Sequence, residues 1–201
     1  MADVTISGLS VSTPNKNTAV IPYSDGSTTY KTSPAGIVAA APGCILQVLQ
    51  AFKSDAFVTQ TLIANGGEAV AGLGVTITPK SSSSKMLISF SVTGNGTNGA
   101  TQIYFKLRRG DTEIGNGNAD ATRPAATPVL TRAYFNDNNV ACNINFQYLD
   151  SPNTTSATTY QLYVGSEGNN GTIYINRPHN QSNIVNCGPC ASSFTVMEIA
   201  G

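Results

Sequence analysis

The chain has 201 residues, with 11 basic and 11 acidic side chains and a charged fraction of 11%, against roughly 25% in an ordinary globular domain. Such a balance offers nucleic acid no basic patch and creates no field that would draw the chain to an anionic membrane. Nineteen asparagines, with many serines and threonines, take the place of the missing charges; copies laid side by side would repel one another little.

The start, Met1-Ala-Asp-Val-Thr-Ile6, has neither the basic stretch nor the apolar core of a secretory signal. No apolar run is long enough to cross a bilayer, so synthesis in a cytoplasm is expected. Residues 18–23 and 27–32 are predicted as two strands around Ser24-Asp25-Gly26, because Asp-Gly between β-formers favours a hairpin in which Gly takes φ > 0. Pro22 marks the first strand as an edge or a bend. An isolated hairpin is marginal in water, so this one is expected to dock through Val20, Ile21, Tyr23 and Tyr30. Residues 33–43 form a linker of small residues and prolines, either a short helical turn at 35–41 or an extended connector. The predicted layout is an N-terminal segment, 1–41, and a body, 42–201.

The body reads as a ladder of short strands at 45–51, 56–62, 74–78, 86–92, 101–108, 129–135, 141–149, 159–164, 172–176 and 194–199. Leu87, Ser89 and Ser91 alternate with Met86, Ile88, Phe90 and Val92. Cys142, Ile144, Phe146 and Tyr148 alternate with Asn143, Asn145 and Gln147. This period of two, with one apolar face, defines half-buried sheets. Turn signals at Asn65-Gly-Gly, Asn95-Gly, Asn98-Gly, Gly115-Asn-Gly-Asn and Asn170-Gly separate them. The expected fold class is all-β: an antiparallel, jelly-roll-like β-sandwich preceded by a small hairpin anchor.

Three body stretches carry a resemblance: Pro42-Gly-Cys-Ile-Leu-Gln-Val-Leu-Gln-Ala51, Leu73-Gly-Val-Thr-Ile-Thr-Pro-Lys-Ser-Ser-Ser-Ser-Lys-Met-Leu-Ile-Ser-Phe90 and Phe105-Lys-Leu-Arg-Arg-Gly-Asp-Thr-Glu-Ile-Gly115. Their order resembles a domain family of tail fibres and other surface proteins of tailed phages. The start, with Ile6-Ser-Gly-Leu9-Ser, Ala19-Val-Ile-Pro-Tyr23 and Asp25-Gly-Ser-Thr-Thr-Tyr-Lys31, resembles the short virion-attachment segment of such proteins. The resemblance implies a jelly-roll-like body, trimers about a three-fold axis, and attachment to a tail or baseplate protein through the N-terminus. No functional residue carries over from the family one by one; within this segment Leu9, Val20, Ile21, Tyr23, Asp25, Gly26 and Tyr30 are the expected attachment residues.

The chemistry-bearing residues are sparse. Cys142 is in phase with the inner face of its strand. Cys44, Cys187 and Cys190 are either reduced thiols, as cytoplasmic synthesis implies, or oxidise outside the cell to a neighbouring copy or a baseplate protein. Cys187-Gly-Pro-Cys190 lacks the strand-to-helix setting of a redox motif and has only His179 nearby as a further zinc ligand; His179 reads as a solvated loop residue. Asp111, Glu113 and Asp137 read as turn formers, and no G-x-S-x-G elbow is present. No enzyme activity, cofactor or metal is expected.

The expected function is that of a virion protein, a short homotrimeric tail fibre binding a host-surface glycan through loops on a rigid scaffold. The loop residues singled out are Asn95, Asn98, Asn116, Asn118, Asp137, Asn138, Asn169 and Asn170. The alternative is a capsid decoration protein or head fibre.

Overall fold

The computed structural model describes residues 21–24, 29–32, 42–97, 102–119, 125–131, 141–167, 171–179 and 188–201. The chain divides into two compact units, Met1–Cys44 and Ile45–Gly201. The first contains β1 (Ile21–Ser24) and β2 (Thr29–Thr32), an antiparallel pair with Tyr23 opposite Tyr30 and Pro22 opposite Lys31. Ser24 belongs to β1 rather than to the predicted turn, and β2 begins at Thr29. The predicted helical turn at 35–41 lies outside the described residues, as do Leu9, Val20, Asp25 and Gly26.

The second unit runs β3 (Ile45–Lys53), β4 (Phe57–Thr59), a 3-10 turn (Ile63–Asn65), β5 (Glu68–Ile77), β6 (Lys85–Gly96), β7 (Gln102–Arg109), β8 (Thr112–Ile114), β9 (Val129–Thr131), β10 (Cys142–Asp150), β11 (Thr158–Ser166), β12 (Ile173–Ile175) and β13 (Ser192–Ile199). Two antiparallel sheets result. In the six-stranded sheet, β6 pairs with β10 on one side. On the other it pairs with β13 along its first half and β12 along its last residues; β3 and β4 lie outside β13 and β12. The five-stranded sheet is ordered β5-β11-β7-β8, with β9 also on β7.

Period-two alternation turns one face of each sheet inward. Met86, Ile88, Phe90 and Val92 of β6, with Phe194 and Val196 of β13 and Ile173 and Ile175 of β12, meet Leu73, Val75 and Ile77 of β5, Phe105 and Leu107 of β7, and Tyr160, Leu162 and Val164 of β11. Phe90 stacks on Phe194 at 6.2 Å between centroids. Burying a large apolar side chain is worth roughly 1.5–3 kcal/mol, and this layer is the body's core. The architecture is a jelly-roll-like antiparallel sandwich.

Several local features depart from the sequence reading for clear reasons. The strand expected at 56–62 stops at Thr59; beyond it Leu62 makes a single parallel bridge to Ser166, and the chain turns through Gly66 and Gly67 at φ 92° and 74°. The Asn65-Gly-Gly signal is therefore a turn, as expected. The strand expected from residue 74 begins at Glu68 and accommodates Gly72 at φ 85°, where its pairing with β11 shifts register. Glu113, read as a turn former, lies in β8 and pairs with Lys106 and Arg108.

Two polar clusters tie the sandwich together. Asp150, at the end of β10 in one sheet, receives both Arg109 contacts at 2.9 Å and the Tyr160 hydroxyl at 2.7 Å from the other sheet. Asn176, at φ 64°, spans the break between β3 and β4. Its Nδ2 donates to the Lys53 and Asp55 carbonyls at 2.8 and 3.0 Å, and its Oδ1 accepts from Ser192 at 2.5 Å. Asparagine tolerates the left-handed region better than other non-glycine residues, and here its amide is fully used.

Candidate functional site

At the end of the six-stranded sheet, where β4 meets the start of β5, a shallow open groove of about 420 Å³ is lined by Val58, Thr59, Gln60, Thr61, Glu68 and Thr172. Strand β4 supplies Val58 and Thr59, β5 begins with Glu68, and Thr172 precedes β12. The Thr59 hydroxyl donates to Glu68 Oε2, as does the Thr61 hydroxyl at 2.9 Å. Across the groove Gln60 Nε2 donates to Thr172 Oγ1 at 2.8 Å.

An aromatic platform adjoins this groove. Tyr174 pairs with Val58 on one side and Asn95 on the other. The Arg177 guanidinium lies over its ring at 4.3 Å, and the His179 ring stacks on it at 5.3 Å between centroids. His179 is half-buried and its Nδ1 has no hydrogen-bond partner, so it is not the solvated loop residue expected. Stacking on the flat face of an aromatic is a common fate for a half-buried imidazole or guanidinium.

The groups present here suit binding. Amide, hydroxyl and carboxylate groups on an open surface can exchange hydrogen bonds with a hydroxyl-rich ligand. Glycoside cleavage needs two carboxyl groups about 5–10 Å apart across a sugar; among the described residues Glu68 is the one acid lining this groove. Among the described residues no group of three His, Cys, Asp or Glu side chains is placed to hold a metal ion, and no helix is long and apolar enough to cross a membrane.

The residues singled out from sequence are dispersed. Asn95 is fully buried within β6 and faces Tyr174, so it is removed from the loop set: strand β6 continues to Gly96, and the Asn-Gly pair that signals a turn is here part of the ladder. Asn116 is half-buried and organises its own loop, donating to Glu113 at 3.1 Å and accepting from Thr127 at 2.9 Å. Asn118 is exposed. Asn98, Asp137, Asn138, Asn169 and Asn170 lie outside the described residues. Ile21, Tyr23 and Tyr30 lie in the β1–β2 pair.

Cys44, Cys142 and Cys190 are half-buried free thiols, and Cys187 lies outside the described residues. Cys142 shares the inward parity of Ile144 and Phe146, and burial pushes its thiol above the ordinary range.

Sequence reasoning missed Gln60, Glu68 and Thr172; Tyr174 reads from sequence as one of several strand tyrosines able to stack on a sugar, with core packing the commoner fate. Gln60 and Thr172 are 112 positions apart and meet only through the β4–β12 pairing. No local motif announces such a site.

No family model matches the chain, and no curated protein matches it. Among solved structures it is similar to one of infectious bursal disease virus, Gx strain, at 10% identity and a TM-score of 0.35, covering 90% of this chain and 42% of that one. It is also similar to the crystal structure of the infectious bursal disease virus VP2 subviral particle, at 13% identity and a TM-score of 0.36, covering 90% and 43%. The chain thus spans less than half the length of either, and likeness at this level carries no argument about what it does.

Proposed function

We propose that the chain is a phage virion structural protein, a short trimeric tail fibre. In this reading it attaches to the tail or baseplate through its N-terminal unit and presents the sandwich for adhesion to host-surface glycan. The observation that carries this reading is the pairing of a small N-terminal unit, Met1–Cys44, with a sandwich body whose open groove offers Gln60, Thr61, Glu68 and Thr172 to a hydroxyl-rich ligand. A weak site of this kind gains strength when several copies act together. Asn118, which is exposed, and Asn98, Asp137, Asn138, Asn169 and Asn170, which lie outside the described residues, are further proposed receptor contacts. Attachment uses Leu9, Val20, Ile21, Tyr23, Asp25, Gly26 and Tyr30. A disulfide from Cys44, Cys187 or Cys190 to a neighbouring chain belongs to the same reading, and intact mass under non-reducing conditions tests it.

Immunogold labelling of intact particles with an antibody to the body tests the placement. Label at the tail end supports the fibre; label over the head shell replaces it with a decoration protein. Binding of the full chain to host cells should fall at least several-fold in Gln60→Ala/Glu68→Ala, and unchanged binding would remove the groove from the proposal.

A further inference from the structure

The outer face of the six-stranded sheet is organised in cross-strand rows that the sequence does not reveal. Val48 is opposite Met197, Met197 opposite Leu87, and Leu87 opposite Leu149. These four apolar side chains form one line across β3, β13, β6 and β10. Val48 is 51% and Leu149 53% exposed at the two ends. Beside this line, Ile45, 56% exposed, pairs with Ile199. The next row is Gln50, Thr195, Ser89 and Gln147, and the one after it Phe52, Ser193, Ser91 and Asn145. Phe52 is 67% exposed.

Val48 and Leu149 at the ends of this line, with Ile45 and Phe52 beside it, leave exposed apolar side chains together on one face, a grouping that marks interaction surfaces when it is contiguous. Residues 45–52 of the edge strand β3 contain no charge and no proline, the two devices that commonly keep an edge apart from other chains. Lys85 is the one charged residue in these rows, and its Nζ is engaged by Ser151 Oγ at 2.7 Å.

We infer that this face is where two copies of the chain meet, with the Val48–Met197–Leu87–Leu149 line buried between them. This rests on the proposal that the protein assembles with itself, but not on its three-fold symmetry: a face that meets its own copy closes a two-fold pair. Charge decides the occupant. A charged partner would find no complement on these rows, whereas rows of amides and hydroxyls are self-complementary because each group both donates and accepts. Area agrees. Four strands spaced at about 4.8 Å and eight residues rising about 3.4 Å each give roughly 500 Å² per copy. A pair then buries about 1,000 Å², the size at which specific interfaces begin.

The test is sedimentation velocity on the full chain across a concentration series, with Val48→Asp/Leu149→Asp beside the wild type. Both positions are more than half exposed, so a native circular dichroism spectrum is expected. The proposal expects an assembled wild type and a variant whose dissociation constant rises at least about 100-fold, since each carboxylate must be buried unpaired. A folded variant that stays assembled overturns this surface and leaves self-assembly standing. A wild type that stays monomeric throughout overturns both. Should the variant unfold, Leu149→Cys supplies the readout: maleimide labelling at position 149 slows in the assembled state and recovers on dilution, and equal rates in both states reject the inference.

Discussion

Tyr160→Phe probes the bolt between the two sheets. Tyr160 is fully buried and its hydroxyl donates to Asp150 Oδ2 at 2.7 Å, while Arg109 holds both Asp150 oxygens at 2.9 Å. The substitution keeps the ring in the core and removes one hydrogen bond to a charged acceptor, worth about 1.5–3 kcal/mol. For a body of this size each kcal/mol moves Tm by about 2–4 °C, so calorimetry near pH ~7 should show a fall of roughly 3–12 °C.

A second reading comes from alkaline pH. Burial, then the Asp150 carboxylate, push the Tyr160 hydroxyl well above its ordinary 10.0. The unfolded chain loses this proton above that pH while the native one keeps it. The stabilisation is therefore complete below pH 10.0 and is lost as pH rises beyond it, at about 1.4 kcal/mol per unit. Phenylalanine has no such proton, so the stability gap between wild type and variant should narrow above that point. A Tm change below about 1 °C, or a gap that stays constant with pH, would refute the bond between this hydroxyl and a buried carboxylate.

Glu198→Gln should act at the acid end. Burial works to raise this carboxyl, but the nearby Ser84 hydroxyl, the Gln47 amide at 2.5 Å and the Lys80 N–H at 2.6 Å outweigh it and leave it below the ordinary 4.5. Its stabilisation is present above that value and lost as pH falls through the native one; urea titrations should show a flatter acid limb in the variant and a neutral-pH cost of about 2–4 kcal/mol. Asn176→Ala removes two donated bonds and one accepted bond and leaves alanine at φ 64°; Asn176→Gly relieves the backbone alone and should melt higher than the alanine variant by roughly 1 kcal/mol equivalent. Gly165→Ala places a methyl 2.7 Å from the Ile63 nitrogen, so backbone must move, and a loss of about 1–3 kcal/mol is expected in chemical denaturation.

Much of the sandwich was legible because its physical cause is local. In β6, the alternation of Met86, Ile88, Phe90 and Val92 with Leu87, Ser89 and Ser91 is written in adjacent residues, and the burial follows it strictly. The short strand β8 was missed because three residues after a Gly-Asp turn have no period to read, and Glu113 looks like a turn former until Lys106 and Arg108 are seen beside it. The start of β5 was missed for a related reason: Gly72, at φ 85°, breaks the apparent alternation while the ladder continues past it.

The site residues were hard to read because their meaning lies in register. Asn95, Asn116 and Asn176 are the same side chain, and sequence context alone assigned the first two to exposed loops. Pairing puts Asn95 opposite Tyr174 in the ladder, and Asn116 bridges Glu113 and Thr127. Asn176, never singled out, holds a strand break closed. An amide has two donors and an acceptor wherever it sits; whether those groups meet ligand or backbone depends on which strand lies opposite. The same holds for the apolar line from Val48 to Leu149. Each member is ordinary within its own strand, and only the pairings of β3, β13, β6 and β10 bring the four into one surface. Interaction surfaces on a sheet are thus a property of register across strands, and the sequence shows them one residue at a time.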